Sequence, residues 1–407
     1  MGGFSTLGGG GIANAGALED SYIELFKARD ARAARLWEYA EILYNAGRLT
    51  IDDVAGFIND VLSSIDQIAY DFDKLFSVDF IAKVLDSDNL SADKAASICD
   101  SPSISSSKLK AILDTGKLTN ADKIAAILDG DSLTANDVAT HINSGIYTND
   151  LYASAFDSNY LSADKAASIL NSDNLSADKA ASILENTNLS LSRMLDILHN
   201  MGNTAKREEI LRNFTDEGVK RIFEEGLTLE REDKFDSLDS NYWTHNEGSG
   251  ERTIDTSRYV SASSSLRISR GDFGVSPYHD DVGHDFGSLG DGSVRVYMQE
   301  DGEGIDPCGR LVLEDDIHGN LVASITLYPD RVRYNVEGSN IAEETDISAD
   351  TWYEFGIAVR NSIVFFLRDS QIRYARNLST YTQFKAVRLS TLGYNTNEFF
   401  DDYKAYR

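Results

Sequence analysis

Five ionisable side chains crowd into residues 279–285: His279, Asp280, Asp281, His284 and Asp285, with Tyr278 beside them. Imidazole and carboxylate groups are what zinc and calcium use as ligands. The stretch 277–285 reads as a long loop, and a loop alone does not fix ligand geometry. Three roles stay open for it: a metal site, a ligand or receptor surface, or an ordinary solvated loop. Elsewhere the chemistry is thinner. Acids recur in short turns such as Asp86-Ser87-Asp88-Asn89, but the spacing lacks the glycine and terminal glutamate of an EF-hand loop. Capping and solvation account for them better. His141 and His199 stand alone and read as structural. The two cysteines, Cys99 and Cys308, fall in segments of different character, which argues against a disulfide framework. No cofactor follows with certainty from these residues.

The elements that must position them lie in a chain of 407 residues with a net charge of −28. No segment is basic, so a nucleic-acid partner is not expected. No apolar run approaches the ~20 residues of a membrane span. The charge reads as a solvated surface, with adaptation to high salt as the alternative. The sequence opens without a basic, apolar leader, so secretion by a signal peptide is not expected.

Residues 1–16 are rich in glycine and read as a flexible docking arm. Residues 17–76 read as a helical assembly segment. One helix is expected over 17–46, stopped by Gly47. Thr50 caps a second, in which Val54, Ile58, Val61, Ile65, Ile68, Phe72 and Leu75 alternate at spacings of four and three. That is a heptad seam, with β-branched residues favouring three or four strands. It fits a homotrimer or an intrachain hairpin. Residues 77–200 are an internal repeat. Leu90-Ser-Ala-Asp-Lys-Ala-Ala-Ser-Ile98 recurs letter for letter at 161–169 and 175–183, and weaker copies carry the period of about 14 residues through the segment. Each copy reads as a Ser/Thr cap, two helical turns and a polar turn. Helices this short must stack, as in an α-solenoid. Residues 201–234 read as a helical linker, with one amphipathic helix over 204–228.

From Phe235 the apolar period becomes two. Val294/Val296/Met298, Val332/Tyr334/Val336 and Phe355/Ile357/Val359 read as half-buried strands, and 321–328 and 363–367 as strands buried on both faces. The fold class is therefore multidomain, α then β, ending in an antiparallel β-sandwich over 235–407. Phe235-Asp-Ser-Leu-Asp-Ser-Asn-Tyr-Trp243, Ser264-Ser-Leu-Arg-Ile268, Thr351-Trp-Tyr-Glu-Phe355 and Phe399-Phe-Asp-Asp-Tyr-Lys-Ala-Tyr406 resemble the concanavalin A-like, laminin-G-like jelly roll. The resemblance implies buried positions for Trp243 and Trp352. It also implies a structural calcium near the first and last strands, with Asp236 and Asp401 as its acids. Catalytic members carry Glu-x-Asp-x-x-Glu, and this chain does not; Glu314-Asp315-Asp316 lacks the spacing.

The whole organisation resembles a viral tail fibre or spike, with a non-enzymatic, lectin-like tip. The arm would engage other virion proteins, and the tip a host surface glycan or glycoprotein through loops 278–285 and 302–306. Location in the virion follows from that reading. The alternatives are a cell-surface adhesin or carbohydrate-binding protein, and a polysaccharide-degrading enzyme.

Overall fold

The computed structural model describes residues 12–247, 251–260, 264–270, 280–301, 305–316, 319–381, 383–394 and 396–407. The chain divides into two compact units. One comprises 1–179 with 186–189, the other 180–185 with 190–407.

The helices of the first unit are α1 (Ile12–Lys27), α2 (Ala40–Asn45), α3 (Ile51–Asp60), α4 (Ile65–Lys74), α5 (Val78–Asp86), α6 (Ala92–Asp100), α7 (Ser106–Asp114), α8 (Ala121–Asp129), α9 (Ala135–Ser144), α10 (Asn149–Asp157) and α11 (Ala163–Leu170), then the start of α12 (Ala177–Leu184), whose remainder belongs to the second unit. The repeat folds as its period predicts: a short helix per copy, opened by a hydroxyl or Asn cap. Ser91, Ser105, Thr134, Thr148 and Ser162 each accept from a backbone N–H of the first turn. Packing joins each helix to the next but one, α5 to α7, α6 to α8, α7 to α9 and α8 to α10. The structural repeat is therefore a pair of helices.

Polar side chains of the repeat form a ladder between helix ends. The Ser162 amide and hydroxyl donate to Asp129 at 3.0 and 2.9 Å. Asp129 closes α8, three helices back. Thr119 does the same to Asp86 at the end of α5, and the amide of Ser105 to Asp73 near the end of α4. In return, the lysine of each first turn reaches carbonyls at the end of that earlier helix or in the turn after it. Lys108 donates to the Phe76 carbonyl, Lys123 to those of Leu85 and Ser87, and Lys165 to that of Leu133, at 2.7–2.9 Å. The acid at the second helical position accepts from a later turn, Asp52 from Ser87, Asp66 from Ser101 and Asp122 from Ser158. Ser, Asp and Lys thus recur because each satisfies orphan groups of another helix.

The heptad seam is not one helix face. Ser64 accepts from the Gln67 amide and starts a new helix, so the chain breaks between α3 and α4. Val54, Ile58, Ile68 and Phe72 are buried within the chain, Val61 and Ile65 are half-buried, and Leu75 is exposed. The buried members pack within the chain, which fits the intrachain alternative. The helix expected over 17–46 also breaks: Arg29 takes a positive φ after α1, and a 3-10 stretch, Ala31–Tyr39, precedes α2.

In the second unit come α13 (Leu191–Asn200), α14 (Thr204–Leu211) and α15 (Asp216–Phe223), then β1 (Leu229–Asp233), β2 (His245–Glu247), β3 (Glu251–Asp255), β4 (Ser265–Arg270), β5 (Asp280–Gly290), β6 (Gly292–Glu300), β7 (Ile305–Glu314), β8 (Leu321–Leu327), β9 (Val332–Val336), β10 (Ser339–Glu344), β11 (Tyr353–Arg360), β12 (Ile363–Arg368), β13 (Gln371–Asn377), β14 (Phe384–Tyr394) and β15 (Thr396–Tyr406). Thr215 caps α15, so the helix expected over 204–228 is two. Among the described residues the strands form two antiparallel sheets. The first runs β13-β12-β11-β6-β15-β4-β3, with β1 on β15; the second runs β10-β9-β8-β7-β14-β5-β2. Their facing sides enclose one core, including Phe235, Trp243, Val296, Leu311, Ile325, Tyr334, Ile357, Phe366 and Leu389. Trp243 is buried as expected; Trp352 is only half-buried, just before β11.

Helices α14 and α15 lie on the outer side of the first sheet, against β13, β11 and β6. Arg207 donates to the Ala375 carbonyl and the Asn377 side chain, and Arg360 to the carbonyls of Ile222 and Glu225. Gly356 leaves room for Phe223, since a Cβ there would lie 3.0 Å from its ring. This cover explains why β12 is apolar on both faces: Val364 and Phe366 join the inner core, while Phe365 and Leu367 are equally buried on the outer side.

The end-to-end ladder predicts energetic coupling across 33 residues of sequence. A double-mutant cycle with Asp129→Ala and Ser162→Ala should show a coupling of about 0.5–1 kcal/mol in denaturant unfolding. Strict additivity would mean that the ladder contributes nothing.

Candidate functional site

With helices on the first sheet, the second sheet offers the other broad face. Alternation sorts its side chains. On β14, Phe384, Val387 and Leu389 enter the core, so Ala386, Arg388 and Ser390 point outward. Strand register then aligns outward residues across the sheet. One row runs Asp281, Ser390, Arg310, Thr326, Arg333, Glu343 from β5 to β10. The next runs Gly283, Arg388, Val312, Ser324, Asn335, Asn340. Short polar side chains thus floor the middle of the face, with arginines and acids among them.

Arg388 organises one side. Its Nε donates to Glu314 Oε2 at 2.9 Å, its Nη2 to Glu314 Oε1, and its Nη1 to Asp281 Oδ2 at 2.7 Å. All three residues are buried. Burial opposes the charge on Arg388, but Glu314 and Asp281 outweigh it and push the guanidinium above its ordinary range. This is the two-pronged geometry that makes arginine–carboxylate pairs strong. Further along the face, Tyr328 lies between two arginines. Arg331 sits 4.3 Å and Arg333 5.2 Å from its ring centre.

The residues singled out in the sequence fare unevenly. Tyr278 and His279 lie outside the described residues, as do residues 302–304. Asp280–Asp285 are not a loop: they open strand β5. Alternation therefore splits the group. Asp281 and Asp285 point outward, and His284 points the other way with the core residue Val282. Asp281 is held by Arg388, and Lys385 lies 3.2 Å from Asp285. His284 stacks on Tyr242, with ring centres 3.8 Å apart, and its Nδ1 lies 2.7 Å from the Tyr242 carbonyl. Asp401 is fully buried and accepts from the amides of Val260 and Asp402 at 2.7 and 2.8 Å. Asp236 is exposed and takes a 3.3 Å bond from Ser264. No group of three or more His, Cys, Asp or Glu among the described residues is arranged to hold a metal ion. Sequence reasoning set Glu314 aside for its spacing and missed Arg310 and Arg388. The signal was there in the polar positions of β7 and β14, but only register shows that they meet.

A second carboxylate pair lies between the sheets. Glu398 and Glu300 are directly opposed on β15 and β6, both buried, and Gly309 leaves the space that Glu398 fills.

The comparisons with known proteins give a fold-level likeness. No family model matches the sequence, and no curated protein matches it. Among solved structures the chain is similar to the cellulose-induced protein Cip1, at 17% identity and a TM-score of 0.35, over 43% of this chain and 96% of that one. It is also similar to an endo-β-1,4-glucuronan lyase from the fungus Trichoderma reesei, at 11% identity and a TM-score of 0.33, over 44% and 95%. A third similar structure is the carbohydrate-binding module CBM66 from Bacillus subtilis, at 14% identity and a TM-score of 0.28, over 38% and 89%.

Burial, then the charges of Glu300 and Asp301, push the Glu398 carboxyl well above the usual carboxylate range. A group with a raised folded-state pKa contributes stability that is complete below its unfolded pKa and falls as pH rises towards the folded value. Glu398→Gln should therefore flatten the stability profile above about pH 4.5 and raise the thermal midpoint at pH 7. A lower midpoint at pH 7 would show that the carboxylate is accommodated.

Proposed function

We propose that the second unit binds a saccharide on the outward face of its second sheet and does not cleave it. The observation that supports this is the row of polar side chains across six strands, on the broad face that α14 and α15 leave free. Asn335 is partly exposed there, with Ser390, Thr326 and Ser324 buried beneath the longer side chains of the same rows; amide and hydroxyl groups of this kind exchange hydrogen bonds with sugar hydroxyls. Strands hold them more rigidly than loops would. The same face speaks against hydrolysis. Both oxygens of Glu314 engage Arg388, and Asp281 engages the same guanidinium. Glycoside hydrolysis needs one carboxyl free to give a proton and a second free to attack or to activate water. Residues 280–285 are strand here, and Asp281 belongs to the same row, so the proposed contact surface is centred on the sheet.

We extend the reading to the whole chain as an attachment protein. The repeat would serve as a spacer and the sandwich as the binding unit, as in a virion tail fibre or spike. Chain organisation alone supports that setting, and peptides in purified particles rather than host fractions would test it. The proposed binding is tested by presenting the full chain to a glycan array and to soluble polysaccharides. The expected result is retention of a glycan class without new chain ends, and loss of retention in Asn335→Trp at an unchanged melting midpoint. Release of chain ends would make the protein an enzyme, and no retention on any glycan would leave the sandwich a structural part.

A further inference from the structure

We infer that the ligand of this face is an acidic saccharide, and that Arg310 is the residue that receives its anionic group. The inference rests on the saccharide reading above and adds the charge of the ligand.

The two arginines at the centre of the face differ. Arg388 is matched by two carboxylates and makes three charged hydrogen bonds. Arg310 stands one strand away and one row along, facing the same way. It has no ion-pair partner among the described residues. Among the described residues its one hydrogen bond runs from Nη2 to the Ser324 hydroxyl at 3.4 Å, the weak end of the range. Its Nε is buried without any partner. The acid that could serve it, Glu314, has both oxygens on Arg388. Burial pulls the Arg310 guanidinium below its ordinary range, yet leaves it a cation at neutral pH.

A half-buried guanidinium without a counter-ion is costly. Five donors on a planar fork are also the best protein match for a carboxylate or sulfate. The neighbours suit a charged sugar ring. Thr326 and Ser390 flank Arg310 on the adjoining strands. Tyr328, just past the end of β8 and two residues beyond Thr326, adds an aromatic side chain beside Arg333 of the same row. The anion supplies the missing partner, and the partly exposed Asn335 then reads the ring. A uronic acid and a sulfated sugar share this chemistry.

The test uses the full chain and three soluble probes: an oligogalacturonate for carboxylate, dextran sulfate for sulfate, and dextran as the neutral control. Binding by calorimetry should favour one or both anionic probes over dextran by at least ~10-fold. Arg310→Met should weaken that binding ~10- to 100-fold and leave the melting midpoint unchanged or higher, since it removes a buried, unpaired charge. A Tyr328-facing structural arginine would instead lower the midpoint and leave the preference intact. Should Arg310→Met fail to fold, Arg310→Lys decides: it keeps the charge but loses the fork, and the anionic preference should shrink. Equal binding of all three probes, or a preference that survives both substitutions, overturns the role of Arg310 and leaves the saccharide reading standing. Binding of a broad glycan panel by neither protein defeats the saccharide reading itself.

Discussion

A helix of eight to ten residues leaves most of its end groups without an internal partner, and the first unit is built around that constraint. Such helices are marginal alone, and each carries four open amides and four open carbonyls. Here the ends serve one another. The acid that closes one helix binds the start of the third helix on, and the lysine from that start returns to carbonyls at that helix end or in the turn after it. The same rule appears in the second unit, where Thr215 donates to Glu185 and Arg221 to the Leu184 carbonyl. Apolar stripes supply the burial, while the polar ladder sets which helix ends meet.

In the second unit the placement of cover decides where chemistry can occur. Two helices bury the outer side of the first sheet, through apolar contact and through arginines that end on backbone carbonyls. The second sheet turns its outward side away from these helices. Its outward side is neither an apolar core nor a random surface. Asp281, Glu314 and Arg388 lock one another, whereas Arg310 makes one weak bond among the described residues. One face thus holds, one strand apart, a guanidinium matched by two carboxylates and one without an ion-pair partner among the described residues.

Much of the architecture was legible from pattern. Period-two alternation located β6, β9 and β11, the continuous apolar run located β12, and the hydroxyl every 14 residues located the short helices. Those signals are local, because propensity, capping and alternation act over a few residues. The heptad from Val54 to Leu75 misled for the same reason. Its spacing was right for one long helix, but Ser64 restarts the helix and the stripe turns inward. Residues 280–285 misled in the opposite sense: polar composition suggested a loop, yet the segment pairs with β14 and β2 on both sides.

By itself, the sequence determined the order of helical repeat and sandwich, the caps, the core positions and the absence of a glucanase-type carboxylate motif. Only the tertiary structure decided which polar residues meet. Asp281 and Arg388 lie 107 residues apart and Arg388 and Glu314 lie 74 apart, and strand order and register alone bring them into contact. A one-residue slip would send every one of them to the other side of the sheet. Long-range pairing of that kind leaves no local trace, so the face could be found only once the sheet was assembled.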